Sequence, residues 1–148
     1  MWTCDTCGED IVRVQDGLIE WLSGRNTKGH GLRLVHSHGA GPNANHREGC
    51  QYAGGLELQE LPLEDFVGAK GADGLMYLLS LLEQGEAQQE EVLELIRRLY
   101  VPGYEQVRLY LEAATAEGVY RHKGARGFPR QQEIQEVLEF VRERDSGG

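Results

Sequence analysis

The sequence predicts an α+β protein in which a small antiparallel β-module precedes a helical domain. Short runs rich in β-formers, separated by turn residues, occupy the first part of the chain. A glycine-rich stretch follows at 68–74, and beyond it apolar residues recur with helical spacing. A chain of 148 residues can build two small cores. We therefore expect two domains, residues 1–67 and residues 74–148.

Four runs in the first domain are strand candidates. Residues 11–14 and 18–22 flank a Gln-Asp-Gly turn signal, which predicts a hairpin between them. Residues 31–36 predict a further strand in which Leu32, Leu34 and His36 share one face by the two-residue period. Residues 56–63 predict a last short strand or an extended connector, and Pro62 restricts this segment to a sheet edge.

The second domain carries four helical patterns, over residues 74–83, 86–100, 104–117 and 130–144. Asp73 is a candidate N-cap of the first helix, and Gly118 is a candidate C-cap of the third. The first helix is apolar nearly all round, which is typical of a buried central helix. Between the last two helices we expect a strand from Val119 and a tight turn at 123–127.

The N-terminal Cys4-Asp-Thr-Cys7-Gly8 stretch indicates half of a metal site. Two cysteines at this spacing, followed by a glycine that can adopt a left-handed turn, form a knuckle that presents two thiolates to one ion. The chain has three cysteines, an odd number that argues against a disulfide framework. Cys50 is therefore the third candidate ligand of a single structural Zn²⁺.

The fourth ligand is predicted among the histidines that lie near Cys50 in the sequence. His36 is preferred because it ends a predicted strand on its apolar face. His46 is the alternative, since its spacing from Cys50 is close to that of a second knuckle, and His38 comes next. The competing interpretation is that the cysteines are ordinary buried thiols and the histidines belong to a solvated loop.

Two resemblances follow from these patterns. The C-x-x-C ahead of a hairpin resembles the start of a zinc ribbon, although the second C-x-x-C of a regular ribbon is missing. The order helix, helix, Pro-Gly turn, helix and basic hairpin resembles winged-helix domains, which implies a DNA-binding or protein-binding module. The residues that could contact nucleic acid or a partner there are Arg121, His122, Lys123, Arg126 and Arg130, with no acid between Val119 and Arg130.

A third resemblance concerns residues 35–46. The Val35-His36-Ser37-His38 run, with His46 and two asparagines beyond it, is similar to HNH-type nucleases, which pair a hydrolytic metal with a histidine base. That chemistry also needs a helix to carry its last ligand, and the glycine-rich residues 39–55 predict none. The sequence contains no nucleophile elbow, phosphate-binding glycine loop or paired-carboxylate signature, so we assign no catalytic residue.

Charge and termini narrow the functional classes. The formal net charge is −9, which opposes nucleic-acid binding by the molecule as a whole. We find neither a signal peptide nor a membrane-spanning run, and expect a cytoplasmic protein without membrane contact. The leading hypothesis is a non-enzymatic, zinc-binding adaptor or regulator that acts through an unidentified protein partner. A winged-helix DNA-binding transcriptional regulator is the alternative, and an HNH-like nuclease is the second alternative.

Overall fold

The computed structural model describes residues 1–24, 28–53, 57–121 and 128–147 and shows a mixed α and β protein. Small antiparallel sheets lie in the N-terminal part, and helices make up the C-terminal part, as the sequence predicts. The strands are β1 (Trp2–Thr3), β2 (Asp10–Ile11), β3 (Gly17–Leu22), β4 (His30–His36) and β5 (Leu58–Pro62). The helices are α1 (Gly71–Glu83), α2 (Gln89–Tyr100), α3 (Tyr104–Val107), α4 (Leu111–Ala116) and α5 (Gln131–Ser146).

The main sheet has three antiparallel strands in the order β4-β3-β5. Its central strand, β3, is buried on both faces, since Leu18, Ile19, Glu20 and Trp21 are all buried. Gly17 of β3 pairs with His36 at the end of β4, so the register fixes the position of that histidine. Strand β5 lies at the edge of this sheet and ends at Pro62, which confirms the restriction expected from a proline.

The prediction of a hairpin between residues 11–14 and 18–22 is wrong. Strand β2 pairs instead with β1, with Trp2 opposite Ile11, and Val14–Asp16 form a single 3-10 turn. Ile11 is fully buried whereas Val12 is 70% exposed, so the apolar run of 11–14 does not correspond to one buried face. Strand β3 forms a hairpin instead with β4, the next strand along the chain after the polar loop.

Helix α1 begins earlier and is more exposed than the sequence predicts. It starts at Gly71, so Asp73 lies inside its first turn and is not the N-cap. Leu78 and Leu81 are buried, but Met76 is 65% exposed and Leu79 is 42% exposed. The expectation of a helix buried all round is therefore wrong, because only one face of α1 is buried.

The C-terminal helices form their own apolar core. The predicted helix over 104–117 is interrupted: α3 passes through a 3-10 turn at Arg108–Tyr110 into α4. Gly118 has φ of +76°, which confirms a left-handed residue just after α4. The described residues 119–121 form no strand, and the predicted turn at 123–127 lies outside the described residues. The core residues are Tyr104, Val107, Ala114, Tyr120, Ile134, Val137 and Phe140.

Two compact units make up the chain, Met1–Leu99 and Tyr100–Gly148. They are divided within α2, whereas the sequence predicts a junction at 68–73. Gly68–Lys70 form a 3-10 turn that leads directly into α1. Compactness does not measure independent folding, so the predicted domains 1–67 and 74–148 stay a prediction. None of the helices in the described part is long and apolar enough to cross a membrane.

Candidate metal centre

Four side chains from three separate segments converge in the first unit. Each of Cys4, Cys7, His36 and Cys50 offers one donor atom, and these atoms all lie within 4.8 Å of one another. Cys4, His36 and Cys50 are buried and Cys7 is half-buried. The chain thus brings together the four residues that the sequence predicts as ligands, with His36 and not His46 in the fourth position.

The cysteine knuckle is built on the small β1–β2 sheet. Cys4 follows β1, its N–H donates to the carbonyl of Glu9, and its own carbonyl accepts the N–H of Gly8, each at 2.9 Å. Gly8 has φ of +78°, which L side chains rarely adopt. This turn closes the chain tightly enough to place the Cys7 sulfur beside that of Cys4.

The imidazole of His36 is oriented by a hydrogen bond on the side away from the sulfurs. Its Nε2 lies 3.1 Å from the carbonyl oxygen of Asp10, which makes Nε2 the protonated nitrogen. Its Nδ1 lies 3.4 Å from Cys7 Sγ and 3.8 Å from Cys50 Sγ. Nδ1 therefore keeps its lone pair available to a metal ion. The carbonyl of Asp10 fixes both the tautomer and the orientation of the ring.

A glycine in the loop after β4 packs directly against this imidazole. Gly41 has φ of +75°, and a Cβ at this position would lie 2.5 Å from His36 Cγ and 2.6 Å from His36 Nδ1. Only a residue without a side chain can approach the ring this closely. The glycine-rich loop thus forms one wall of the site at Gly41.

The segment that carries Cys50 is held in place by its backbone. The carbonyl of Cys50 accepts hydrogen bonds from Thr6 Oγ1 at 2.5 Å and from Arg33 Nη2 at 3.3 Å. The side-chain amide of Gln51 donates to the carbonyl of His36. The three ligand-bearing segments therefore bind one another directly, in addition to any ion that they share.

A buried ion pair supports the same segment from inside the sheet. Glu20 is fully buried, and its Oε1 lies 2.8 Å from Arg33 Nη2. The Glu20 carboxylate also accepts the backbone N–H of Tyr52 at 3.1 Å, and the Arg33 guanidinium lies 3.5 Å from the centre of the Tyr52 ring. Burial raises the pKa of Glu20, and the Arg33 hydrogen bond opposes that effect. The pair positions residues 50–52 against β3 and β4.

A second ion pair ties the knuckle to α2. Asp5 Oδ2 accepts the backbone N–H of Leu34 at 2.8 Å and Arg98 Nη1 at 2.7 Å. Arg98 Nη2 donates to the carbonyl of Thr3 at 2.9 Å, and the Arg98 side chain is only 5% exposed. An arginine 93 residues away in sequence thus holds the turn between Cys4 and Cys7.

The thiols experience opposing electrostatic effects. Burial acts to raise the pKa of Cys4, but backbone N–H groups of Cys7, His36 and Thr6 lower it to about 7. Burial and the neighbouring Cys4 raise the pKa of Cys50 to about 12. Several thiolates at this distance repel one another unless a cation neutralises them. The site is therefore arranged to gain from a bound metal ion.

The donor set fits Zn²⁺. Bonds of about 2.1 Å to nitrogen and 2.3 Å to sulfur at a tetrahedral angle place the two atoms about 3.6 Å apart. The observed separations from His36 Nδ1, 3.4 Å and 3.8 Å, lie on either side of this value. Three soft thiolates and one imidazole are also the ligands of structural zinc sites.

No protein-family model, curated protein or solved structure matches this chain. The assignment therefore rests on geometry and chemistry.

The other candidate ligands lie elsewhere. His46 is exposed and contributes no donor atom to the cluster. His38 is also exposed, with its Nε2 3.2 Å from Glu60 Oε2. No second group of three or more potential ligands occurs among the residues that the structure describes. The described residues 37–53 contain no helix, as the glycine-rich sequence predicts, so they offer no helical segment for the last ligand of an HNH-type site.

Few of the basic residues proposed for nucleic-acid or partner contact can be placed. Arg121 and Arg130 are exposed. Arg130 forms the N-cap of α5, and its Nε lies 3.1 Å from Glu133 Oε1. His122, Lys123 and Arg126 lie outside the described residues. The predicted basic hairpin therefore stays a prediction.

The residues that support the ligands were not identified from the sequence as a group. Glu20 carries a usable signal, because a carboxylate inside the apolar run 18–22 calls for a buried cation. Arg33 lies opposite Glu20 in the neighbouring strand β4. Asp5 and Arg98 carry no comparable signal, since each stands in a segment where a charged residue is ordinary.

Proposed function

We propose that this chain is a non-enzymatic, zinc-binding adaptor or regulatory protein that acts through protein contacts. One structural Zn²⁺ is held by Cys4, Cys7, His36 and Cys50. The observation that carries this proposal is the convergence of four donor atoms within 4.8 Å, three of them on buried residues. The cytoplasm suits such a site, because thiols stay reduced there and remain available to a metal.

A structural role fits this centre better than a catalytic one. Catalytic zinc sites keep one coordination position for water or substrate, whereas structural sites are closed by four protein ligands. Here four protein donors are available, and the backbone of Gly41 lies against the imidazole. The function of the metal is then to hold the knuckle, β4 and the Cys50 segment together, while the surface of the protein makes the contacts.

The alternative functions have less support. The DNA-binding alternative depends on a winged-helix-like arrangement of residues 74–148, which we retain as a possible scaffold for protein contacts. Its predicted recognition helix is interrupted at Arg108–Tyr110. Its basic residue at the start of α5, Arg130, is engaged by Glu133. The nuclease alternative requires a catalytic metal near His38 or His46, and the described residues contain no second group of three or more potential ligands there.

Cobalt substitution tests the proposal at the level of the ligands. Co²⁺ bound by three thiolates and one imidazole in a tetrahedron gives intense thiolate-to-metal charge-transfer bands and strong ligand-field absorption. We expect both sets of bands from the metal-free protein titrated with Co²⁺, with saturation at one equivalent. The Cys50→Ser variant should lose part of the charge-transfer intensity, because one sulfur ligand is gone.

The histidine assignment has its own control. His36→Ala should weaken Co²⁺ binding strongly, whereas His46→Ala should leave the spectrum and the stoichiometry unchanged, because His46 is exposed. A spectrum of octahedral Co²⁺, or equal effects of the two substitutions, would contradict the proposed site.

A further inference from the structure

Helix α1 presents a cluster of exposed apolar side chains. Met76 is 65% exposed, Leu79 is 42% exposed and Tyr77 is 37% exposed. The other large apolar residues that are exposed in the described part, Met1, Val12, Leu109 and Phe128, are separated from these in sequence. Met76 and Leu79 stand three residues apart and therefore share one helical face. Exposed apolar side chains that adjoin on one helical face form a candidate interaction surface.

Tyr77 connects this face to a groove of about 460 Å³. Its ring lies 6.3 Å from that of Trp21 and 6.1 Å from that of Phe66, measured between centroids. The residues that line the groove include Trp21, Tyr77, Lys28 and Glu86. Aromatic walls beside an acidic side chain can take the long apolar stem and the charged head of a lysine or arginine.

The borders of the apolar face are acidic. Asp73 lies three residues before Met76, and Glu83 lies four residues after Leu79, so both carboxylates flank the exposed face of α1. Both residues are exposed, as is Glu86 at the groove. Lys28 also lines the groove, and Lys70, just before α1, lies 2.9 Å from Asp65. Among the residues that the structure describes, negative charge therefore predominates around Met76 and Leu79.

We propose that the exposed face of α1 is a docking site for a basic amphipathic helix of a partner protein. Apolar side chains of that helix pack on Met76 and Leu79, its basic border faces Asp73 and Glu83, and one basic side chain enters the groove beside Tyr77. The inference rests on the proposed function only in taking the chain as an adaptor, and it does not depend on the identity of the metal.

Charge selects this occupant over two others. If a second copy packed its α1 antiparallel on this one, Asp73 of one copy would lie near Glu83 of the other, and parallel packing would place like residues together. Both arrangements bring carboxylates against carboxylates. An anionic lipid surface would meet the same repulsion. A helix with lysine or arginine at its borders meets opposite charge instead.

Peptide binding tests the inference on the full, zinc-loaded chain. The probe is a fluorescent peptide of about 18 residues with leucine on one helical face and lysine on the other, long enough to form a helix on binding. Two matched peptides replace all lysines by glutamate, or scramble the same leucines and lysines so that no apolar face remains. In fluorescence anisotropy we expect both matched peptides to bind at least about tenfold more weakly.

Variants locate the binding site. The double variant Met76→Lys and Leu79→Lys should reduce binding of the basic peptide at least about tenfold, because it removes the apolar contact and adds repulsion. The control is Val12→Lys, which changes an equally exposed apolar residue at another place and should bind as the unchanged protein does. The variant Asp73→Asn with Glu83→Gln should weaken binding and reduce its dependence on salt.

Five results would overturn the inference. The first three concern the peptides and are no binding of the basic peptide by zinc-loaded protein, equal binding of the basic and acidic peptides, and unchanged binding by the lysine double variant. The other two are self-association that this variant abolishes and binding to anionic vesicles that it abolishes. The zinc content of each sample is measured in parallel. If protein with full zinc content does not bind the peptide, the docking site is refuted and the metal site is unaffected. If the unchanged protein contains no zinc, the proposed function is contradicted.

Discussion

Replacing Arg98 should destabilise the first unit and weaken its metal site together. Its guanidinium donates to Asp5 Oδ2 at 2.7 Å and to the carbonyl of Thr3 at 2.9 Å, and its side chain is 5% exposed. Arg98→Met keeps most of the apolar stem and removes these hydrogen bonds. Breaking a buried pair costs about 3–5 kcal/mol, and Asp5, at 24% exposed, can still be solvated. We therefore expect Arg98→Met to lower the free energy of unfolding by about 3 kcal/mol, the lower end of that range.

The same substitution should reduce the affinity for Zn²⁺. Asp5 lies between the two cysteines of the knuckle and also accepts the N–H of Leu34. Without Arg98, the turn that orients Cys4 and Cys7 keeps only part of its support. Loss of a group that orients metal ligands typically costs about 10- to 100-fold in affinity, and we expect an effect in this range.

Urea unfolding of the zinc-loaded protein and competition with a chelating dye measure the two effects. Arg97→Met is the matched control, because Arg97 is the neighbouring arginine in the same helix and lies 3.3 Å from the partly exposed Glu94. Both side chains of this pair are more exposed than those of Arg98 and Asp5, so we expect its loss to cost about 1 kcal/mol or less. The reasoning is refuted if Arg98→Met unfolds at the same urea concentration as Arg97→Met, or if both variants bind zinc equally well.

Three further predictions concern the site itself. Gly41→Ala should weaken zinc binding, because its Cβ would lie 2.5 Å from His36 Cγ, and the chelator competition reports the change. Glu20→Gln should lower stability to urea by about 2 kcal/mol, because Arg33 loses its charged partner in a buried position. Removal of the metal by a strong chelator should lower the urea midpoint and make the three thiols reactive towards a thiol reagent.

Two matched controls accompany these variants. Gly39→Ala introduces the same backbone strain as Gly41→Ala, at φ of +75°, but meets nothing within 4 Å, so its effect on zinc affinity should be small. Glu60→Gln removes a carboxylate that is 40% exposed, and its effect on stability should stay below about 1 kcal/mol. Equal losses within either pair would contradict the roles of Gly41 and Glu20.

The ligands of the site were predictable because their signals are local. The C-x-x-C-G pattern defines a knuckle within five residues, and the two-residue period of β4 places His36 on the face of Leu34. Leu34 and His36 are both buried at the end of the strand, but Val35 between them is buried too, so burial does not distinguish the two faces there. Spacing alone left His36 and His46 open, because the conformation of the loop between them depends on contacts that the pattern does not contain.

The supporting contacts and the strand partners were less predictable because they link distant segments. The pairing of β1 with β2 brings Trp2 opposite Ile11, and nothing in a short apolar run distinguishes this partner from β3. The contact between Asp5 and Arg98 spans 93 residues. Helix α1 shows the limit of hydrophobic patterns in another way, because the sequence states which residues are apolar but not which face remains exposed.

The most direct test of the account is the zinc content of the protein as it is purified, without chelator and without added metal. Elemental analysis of such protein should find one Zn²⁺ per chain, retained on dialysis, and much less in the Cys50→Ser variant prepared in the same way. Stoichiometric zinc that depends on Cys50 is the result that the account predicts. A folded, unmodified chain that contains no zinc and binds none when it is offered would contradict its central claim.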